Sequence, residues 1–159
     1  TAHGELVAGG SRTTARPLHD LYTLVWRIRP NGEYRRVLFG KKVTKVSPAK
    51  HHLDGVSAMA VDPKGRIFII SRLMVFEQRG WDELQLMLVD EAAATVVPVS
   101  GTKIPKSTWI ADHPLDGPLE RAVFNFSHDM CISPDGTTFV SDDIVRRLDP
   151  KGQVTTWLF

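Results

Sequence analysis

The segments MAVDPKGRIFIISR (residues 59–72) and MCISPDGTTFVSDD (residues 130–143) decide the fold, because they match position by position at an offset of 71 residues. Each has apolar residues at alternating positions on both sides of a Pro-x-Gly turn. This alternation is typical of two antiparallel strands joined by a turn. A weaker copy, HGELVAGGS, begins at His3, and its Gly4 stands where Gly65 and Gly136 stand in the other two.

A second repeated unit follows each copy of the first. The pair Asn31-Gly32 is typical of a tight hairpin, in which Asn and Gly both adopt left-handed backbone conformations, and Lys151-Gly152 is a similar signal. The only helix-friendly stretch, residues 91–94, is too short to nucleate a helix and is expected to form a turn. The three units are LVWRIRPNGEYRRVLFG (24–40), LQLMLVDEAAATVVPVSG (84–101) and IVRRLDPKGQVTTWLF (144–159).

The two units together predict an all-β chain of about three four-stranded antiparallel meanders. Tandem meanders of this kind are typical of β-propeller blades, and a two-sheet sandwich is the alternative. We expect a single domain, residues 1–159, with blades at approximately 1–40, 54–101 and 125–159, the first without its innermost strand. Three blades form half of a six-bladed ring, so we expect a homodimer that closes the ring or a fragment of a longer propeller.

One segment resembles a known family. SPDGTTFVSDDIVRRLDPKGQVTTW (residues 133–157) is similar to an NHL-type repeat, and DPKGRIFIIS (residues 62–71) is a second, partial match. The resemblance implies the propeller fold, and it implies little about function. A more distant resemblance to gluconolactonase-like hydrolases and streptogramin-lyase-like enzymes implies that a functional His or Asn can stand shortly before an inner strand.

Composition excludes several classes of protein. With 159 residues, 42% hydrophobic and 24% charged, the chain is typical of a folded globular domain, and no apolar run approaches the roughly 18 residues of a membrane span. One cysteine forms no internal disulfide or cysteine cluster. Residues 1–50 carry ten Lys or Arg against three Asp or Glu. Arg27, Arg29, Arg35 and Arg36 lie in strand-like segments, where solvated faces normally carry charge, so we interpret this basic region as a solvated face and expect neither a nucleic acid nor a membrane as a partner.

His128 and Asp129 are the candidate catalytic residues, because they precede the inner strand of the last blade. The corresponding residue one blade earlier is Ser57, and Asp54 is three residues out of phase. A metal site needs several converging ligands, so we assign no metal ligands and expect a divalent metal cofactor only if the protein is an enzyme. A hydrogen-bonded pair at the start of a strand is the favoured interpretation.

Other titratable residues have structural interpretations. Ser141-Asp142-Asp143 resembles a carboxylate pair, but in an NHL-like blade the Asp is expected to hydrogen-bond the backbone of a turn. Cys131 is expected to be a small core residue. His51 and His52 are expected in a solvated loop, as are His19 and His113.

The favoured function is a non-catalytic scaffold that binds a protein or a small ligand through loops at 41–53, 72–83 and 101–120. Trp81 and Trp109 lie in two of these loops, and large aromatic side chains are common anchors of recognition surfaces. The alternative is a propeller hydrolase or lyase, lactonase-like, with a metal or His128 at the central axis.

Overall fold

The structure of the protein is a computed structural model. It describes residues 5–13, 21–40, 51–75, 84–101, 116–122, 124, 127–142 and 144–158. These residues form β-strands, tight turns and a single 3-10 turn at Leu119–Arg121. The prediction of an all-β chain is confirmed. In chain order the strands are β1 (Leu6–Thr13), β2 (Leu21–Ile28), β3 (Tyr34–Gly40), β4 (His51–Val61), β5 (Ile67–Val75), β6 (Leu84–Asp90), β7 (Thr95–Pro98), β8 (Gly117–Pro118), β9 (Asp129–Ile132), β10 (Thr138–Ser141), β11 (Val145–Leu148) and β12 (Gln153–Leu158).

The strands form three antiparallel sheets, which we call A, B and C. Sheet A has the order β1-β2-β3, sheet B the order β4-β5-β6-β7, and sheet C the order β8-β12-β11-β10-β9. Within each sheet, successive strands pair with each other, apart from the two-residue β8, which pairs with β12. The expected antiparallel meanders are therefore present, with three strands described for the first of them.

Four hairpin turns share one sequence pattern and one geometry. In each, the N–H of a glycine donates to the carbonyl oxygen three residues earlier, and a second hydrogen bond closes the loop, at distances of 2.8–3.0 Å. The glycines have φ between 79° and 87°, the left-handed region that glycine adopts without steric cost. This is a type I turn followed by a G1 bulge. The turns are Arg29–Glu33, Asp62–Arg66, Ser133–Thr137 and Asp149–Gln153.

The expectation for Asn31 is wrong in one respect. Only Gly32 of the Asn31-Gly32 pair has a positive φ. Pro30 lengthens the loop to three residues, so the left-handed position is needed once and not twice. Asn31 instead accepts a hydrogen bond of 3.0 Å from the main-chain N–H of Glu33 through its side-chain oxygen.

Sheet B lies between the other two sheets and is covered on both faces. One face packs against Val25 and Val37 of sheet A, and the other packs against residues of sheet C that include Val140 and Leu148. The side chains of β5 alternate between the two cores, so that Ile69 faces sheet A and Ile70 faces sheet C. Both are fully buried. The core is therefore two apolar layers, one on each side of sheet B.

Parts of the segments expected as loops belong to strands. His51, His52 and Leu53 are the first residues of β4, and residues 72–75 are the end of β5. His51 pairs with Val75 and His52 with Met74, beyond a register shift between Asp54 and Ala58. The main chains of β4 and β5 therefore pair on both sides of this irregularity. The expectation that His51 and His52 lie in a loop is therefore wrong.

Candidate functional site

His128 lies immediately before β9, at an edge of sheet C. Its main-chain N–H donates a hydrogen bond of 2.8 Å to the carbonyl oxygen of Ser141, and its side chain is exposed. Asp129 is also exposed, and its Oδ1 accepts a hydrogen bond of 2.8 Å from the N–H of Met130. The pair is thus held by main-chain contacts at the start of the strand, with the imidazole facing solvent.

The edges of the sheets meet near this pair. Strand β4 lies beside β9, and on its other side it lies beside β1 and β2. Ser57, which precedes His128 by 71 residues, is exposed on β4. Strands β4 of sheet B and β9 of sheet C therefore run next to each other.

The described residues hold no group of three or more His, Cys, Asp or Glu side chains that could bind a metal ion. The main chain of Asp54 lies in β4, and its side chain is not among those described. His128 and Asp129 supply two candidate ligands in this region.

Asp142 lies beside a buried arginine. It is 7% exposed, and its main-chain N–H donates 2.9 Å to the carbonyl oxygen of Ile144. Arg146 is fully buried, with its guanidinium 6.0 Å from the ring centre of Phe124 and 3.1 Å from Asp116. Burial lowers the pKa of Arg146, and the charges of Asp116 and Asp142 oppose that shift. Asp142 is therefore a counter-charge in the core between sheets B and C, and its expected partner Asp143 lies outside the described residues.

Arg27 is buried, although the sequence placed it on a solvated face together with Arg29, Arg35 and Arg36. It is 9% exposed, whereas those three are exposed. Arg27 shares the face of sheet A that packs on sheet B, so the neighbouring sheet removes it from water. Its guanidinium contacts the carbonyl oxygen of Gly65 at 2.7 Å, Glu5 at 3.0 Å, and Glu91. The signal available in the sequence is the two-residue spacing from Val25, which puts both side chains on one face.

Cys131 is exposed, so its assignment to the core is wrong. Met130 before it is buried, and successive residues of a strand point to opposite faces. Cys131 pairs with Phe139, and the ring of Phe139 packs 4.9 Å from that of Trp157, which is 54% exposed. Sheet C therefore carries an apolar, accessible surface on the side that faces away from sheet B.

A shallow groove lies on this surface of sheet C. It is lined by Ser133, Pro134, Asp135, Thr137, Phe139 and Arg147. The groove begins at the Ser133–Thr137 turn and ends on β11, and it was not predicted from the sequence. The alternation of Phe139 and Arg147 with buried neighbours is the signal that could have indicated it.

The proposed recognition residues Trp81 and Trp109 lie outside the described residues, and so do His19 and His113. No family model matches this chain, and no curated protein matches it. Among the described residues, no helix is long and apolar enough to cross a membrane.

Proposed function

We propose that this chain is a non-catalytic β-propeller scaffold whose three sheets are blades of a ring. The observation that carries the proposal is the direction of packing. Sheet A and sheet C each pack on sheet B through one face. The face that sheet C uses is the opposite of the equivalent face that sheet A uses. Blades stacked in one rotational sense around an axis have this relationship.

Two hairpins with the same geometry define the direction of packing. Residues 24–38 of sheet A and 144–158 of sheet C correspond at an offset of 120 residues. Both contain the Pro-x-Gly turn, and both have a register shift at the same place, between Val25 and Trp26 and between Val145 and Arg146. The two hairpins can therefore be compared residue by residue.

The comparison shows that opposite faces are covered. Among the described side chains of residues 24–38, the buried ones are Val25, Arg27 and Val37. Among those of residues 144–158, the buried ones correspond to Trp26, Ile28 and Tyr34 of sheet A, namely Arg146, Leu148 and Val154. We call the face with Val25 and its equivalents the downstream face, and the face with Arg146 and its equivalents the upstream face.

The NHL-like segments agree with this proposal. Residues 62–71 supply the β4–β5 turn of sheet B, and residues 133–157 supply the β9–β10 turn of sheet C together with its β11–β12 hairpin. Asp62 and Asp149 stabilise their turns, each accepting hydrogen bonds from two main-chain N–H groups. Asp-Pro-x-Gly is thus used as a structural turn.

The scaffold binds a protein or a small ligand through the segments that connect its strands. Trp81 and Trp109 are the proposed anchors, because an aromatic side chain covers a large apolar area with few rotatable bonds. Two copies of the chain form a homodimer that closes the ring, or the three blades belong to a larger propeller. The enzyme alternative keeps His128 and Asp129 as its residues, with turnover of a lactone or related substrate.

Two measurements test this proposal. Hydrogen exchange followed by mass spectrometry should find amides in β5 and β6 that exchange at least as slowly as those of sheets A and C, because sheet B is covered on both faces within one chain. An immobilised chain should retain a partner from extracts of the source cell, and the double variant W81A/W109A should lose it. Faster exchange in β5 and β6 than in sheets A and C would contradict the stack. Stoichiometric calcium, magnesium or zinc in the purified protein would favour the enzyme.

A further inference from the structure

We propose that a second copy of this chain covers both exposed sheet faces, with the upstream face of sheet A in one copy packed on the downstream face of sheet C in the other, and the reverse. This inference rests on the proposed function, because it continues the same stacking of blades. It assigns the occupant of each surface.

The upstream face of sheet A exposes apolar side chains at positions whose equivalents in sheet C are buried. Tyr34 is 71% exposed, and its equivalent Val154 is fully buried. Leu6, beside Ile28 in the sheet, is 61% exposed. Trp26 packs edge-on against Tyr34, with ring centres 5.6 Å apart. Exposed aromatic and aliphatic side chains clustered on one sheet face mark an interaction surface.

The downstream face of sheet C has the converse relationship to sheet A. Trp157 is 54% exposed, and its equivalent Val37 is 2% exposed against sheet B. Phe139 and Cys131 extend this surface toward β9. In sheet B the downstream face includes Phe68, which packs in the core that sheet C covers. The downstream faces of sheets A and B are thus covered by the next sheet.

Charged residues support the same arrangement. Arg147 is the equivalent of Arg27, and Arg27 reaches from the downstream face of sheet A to Glu91 in the hairpin turn of sheet B. Arg147 is exposed on sheet C. Glu33 lies in the β2–β3 turn of sheet A as Glu91 lies in the β6–β7 turn of sheet B. The second copy therefore offers Arg147 a carboxylate in the corresponding hairpin.

The contact between copies joins two different faces, the upstream face of sheet A and the downstream face of sheet C, so it is head-to-tail. An upstream face packs on a downstream face within the chain, in both the A–B and the B–C layers. Two head-to-tail contacts related by a two-fold axis close a ring of six sheets and leave neither surface exposed. Pairing two upstream faces would cover one surface only.

A mixing experiment tests the head-to-tail contact. The variants Tyr34→Glu and Trp157→Glu each damage one face, and Lys64→Glu, at an exposed residue of the Asp62–Arg66 turn, is the control. Light scattering after gel filtration should give the wild type and the control twice the 17.7 kDa of one chain. Each face variant alone should give 17.7 kDa. Their equimolar mixture should regain dimers, because one intact upstream face meets one intact downstream face.

The other outcomes would overturn the inference. A monomeric wild type, loss of the dimer in only one variant, or assemblies larger than two chains would each do so. Leu6→Glu and Arg147→Glu repeat the test at second positions, and circular dichroism verifies that every variant is folded. A monomeric wild type whose β5 and β6 amides still exchange slowest would remove the dimer and leave the stacked scaffold intact. Equal exchange in all three sheets of a monomeric wild type would remove the scaffold itself.

Discussion

Arg27 in β2 donates a hydrogen bond of 2.7 Å to the main-chain carbonyl oxygen of Gly65, and this contact joins sheet A to the β4–β5 turn of sheet B. The same guanidinium contacts Glu5 and Glu91, and Arg35 contacts Glu91 at 2.6 Å. The hydrogen bond to Glu91 raises the pKa of Arg27, which keeps it charged. Arg27 is therefore a buried cation whose three acceptors tie sheet A to sheet B.

Replacing Arg27 by Met should lower the free energy of unfolding by about 2–4 kcal/mol, because breaking a buried hydrogen-bonded ion pair leaves acceptors without their donor. Urea denaturation measures the change. Arg29→Met is the matched control, since the Arg29–Glu33 pair is exposed on the same strand's turn and should change stability by less than about 1 kcal/mol. Equal effects of the two substitutions would contradict the assignment.

Stability should fall in acid because of the turn carboxylates. Main-chain N–H groups, that of Gln153 first, lower the pKa of Asp149, and Ser133 and Thr137 lower the pKa of Asp135. A carboxylate whose pKa is lower in the folded state stabilises the fold above its unfolded pKa, and this contribution is lost as the pH falls through the folded pKa. We expect the loss to begin below about pH 4.

The variant Asp149→Asn tests this pH dependence. It keeps an acceptor oxygen in the turn and removes the titrating group, so the free energy of unfolding should depend less steeply on pH between about 2 and 5. Gln153→Asn alters the same turn without removing a carboxylate and should retain the wild-type slope. Identical slopes for Asp149→Asn and the wild type would show that Asp149 does not contribute.

Gly65→Ala should destabilise the protein by about 1–2 kcal/mol through backbone strain alone. Gly65 has φ of 79°, and a Cβ at this position would contact nothing within 4 Å. Lys64→Ala, one residue earlier in the turn, should change stability by less than about 0.5 kcal/mol. Thermal unfolding of both variants measures the difference, and a neutral Gly65→Ala would mean that the turn adopts another geometry.

His128→Ala should leave the fold unchanged, with a melting temperature within about 2 °C of the wild type, because the side chain is exposed and the hydrogen bond to Ser141 comes from the main chain. If the enzyme alternative is correct, the same variant should lose lactonase or lyase turnover completely. Circular dichroism and an activity assay decide between the two functions. An unfolded variant would show instead that His128 is structural.

The turns and strands could be predicted from the sequence because their causes are local. A Pro-x-Gly pattern prescribes where a left-handed residue is needed, and alternation shows which side chains share a face. The meanders, and the pairing of the two strands within each of the segments 59–72 and 130–143, follow from these rules. Even here Pro30 changed the loop around Asn31-Gly32, because the length of the loop determines which turn type forms.

The alternation of apolar and polar residues does not show which face of a sheet a neighbouring sheet will cover. The tertiary structure determines that. Arg27 and Arg147 occupy the same place in equivalent hairpins, yet Arg27 is buried and Arg147 is exposed. Cys131 is exposed for the same reason: it lies on the face of sheet C that is turned away from sheet B. The sequence by itself determined the strands, their turns and the residues that share each face. Only the packing of whole sheets decided which of those faces lie in the core, because burial depends on contacts between residues far apart in the chain.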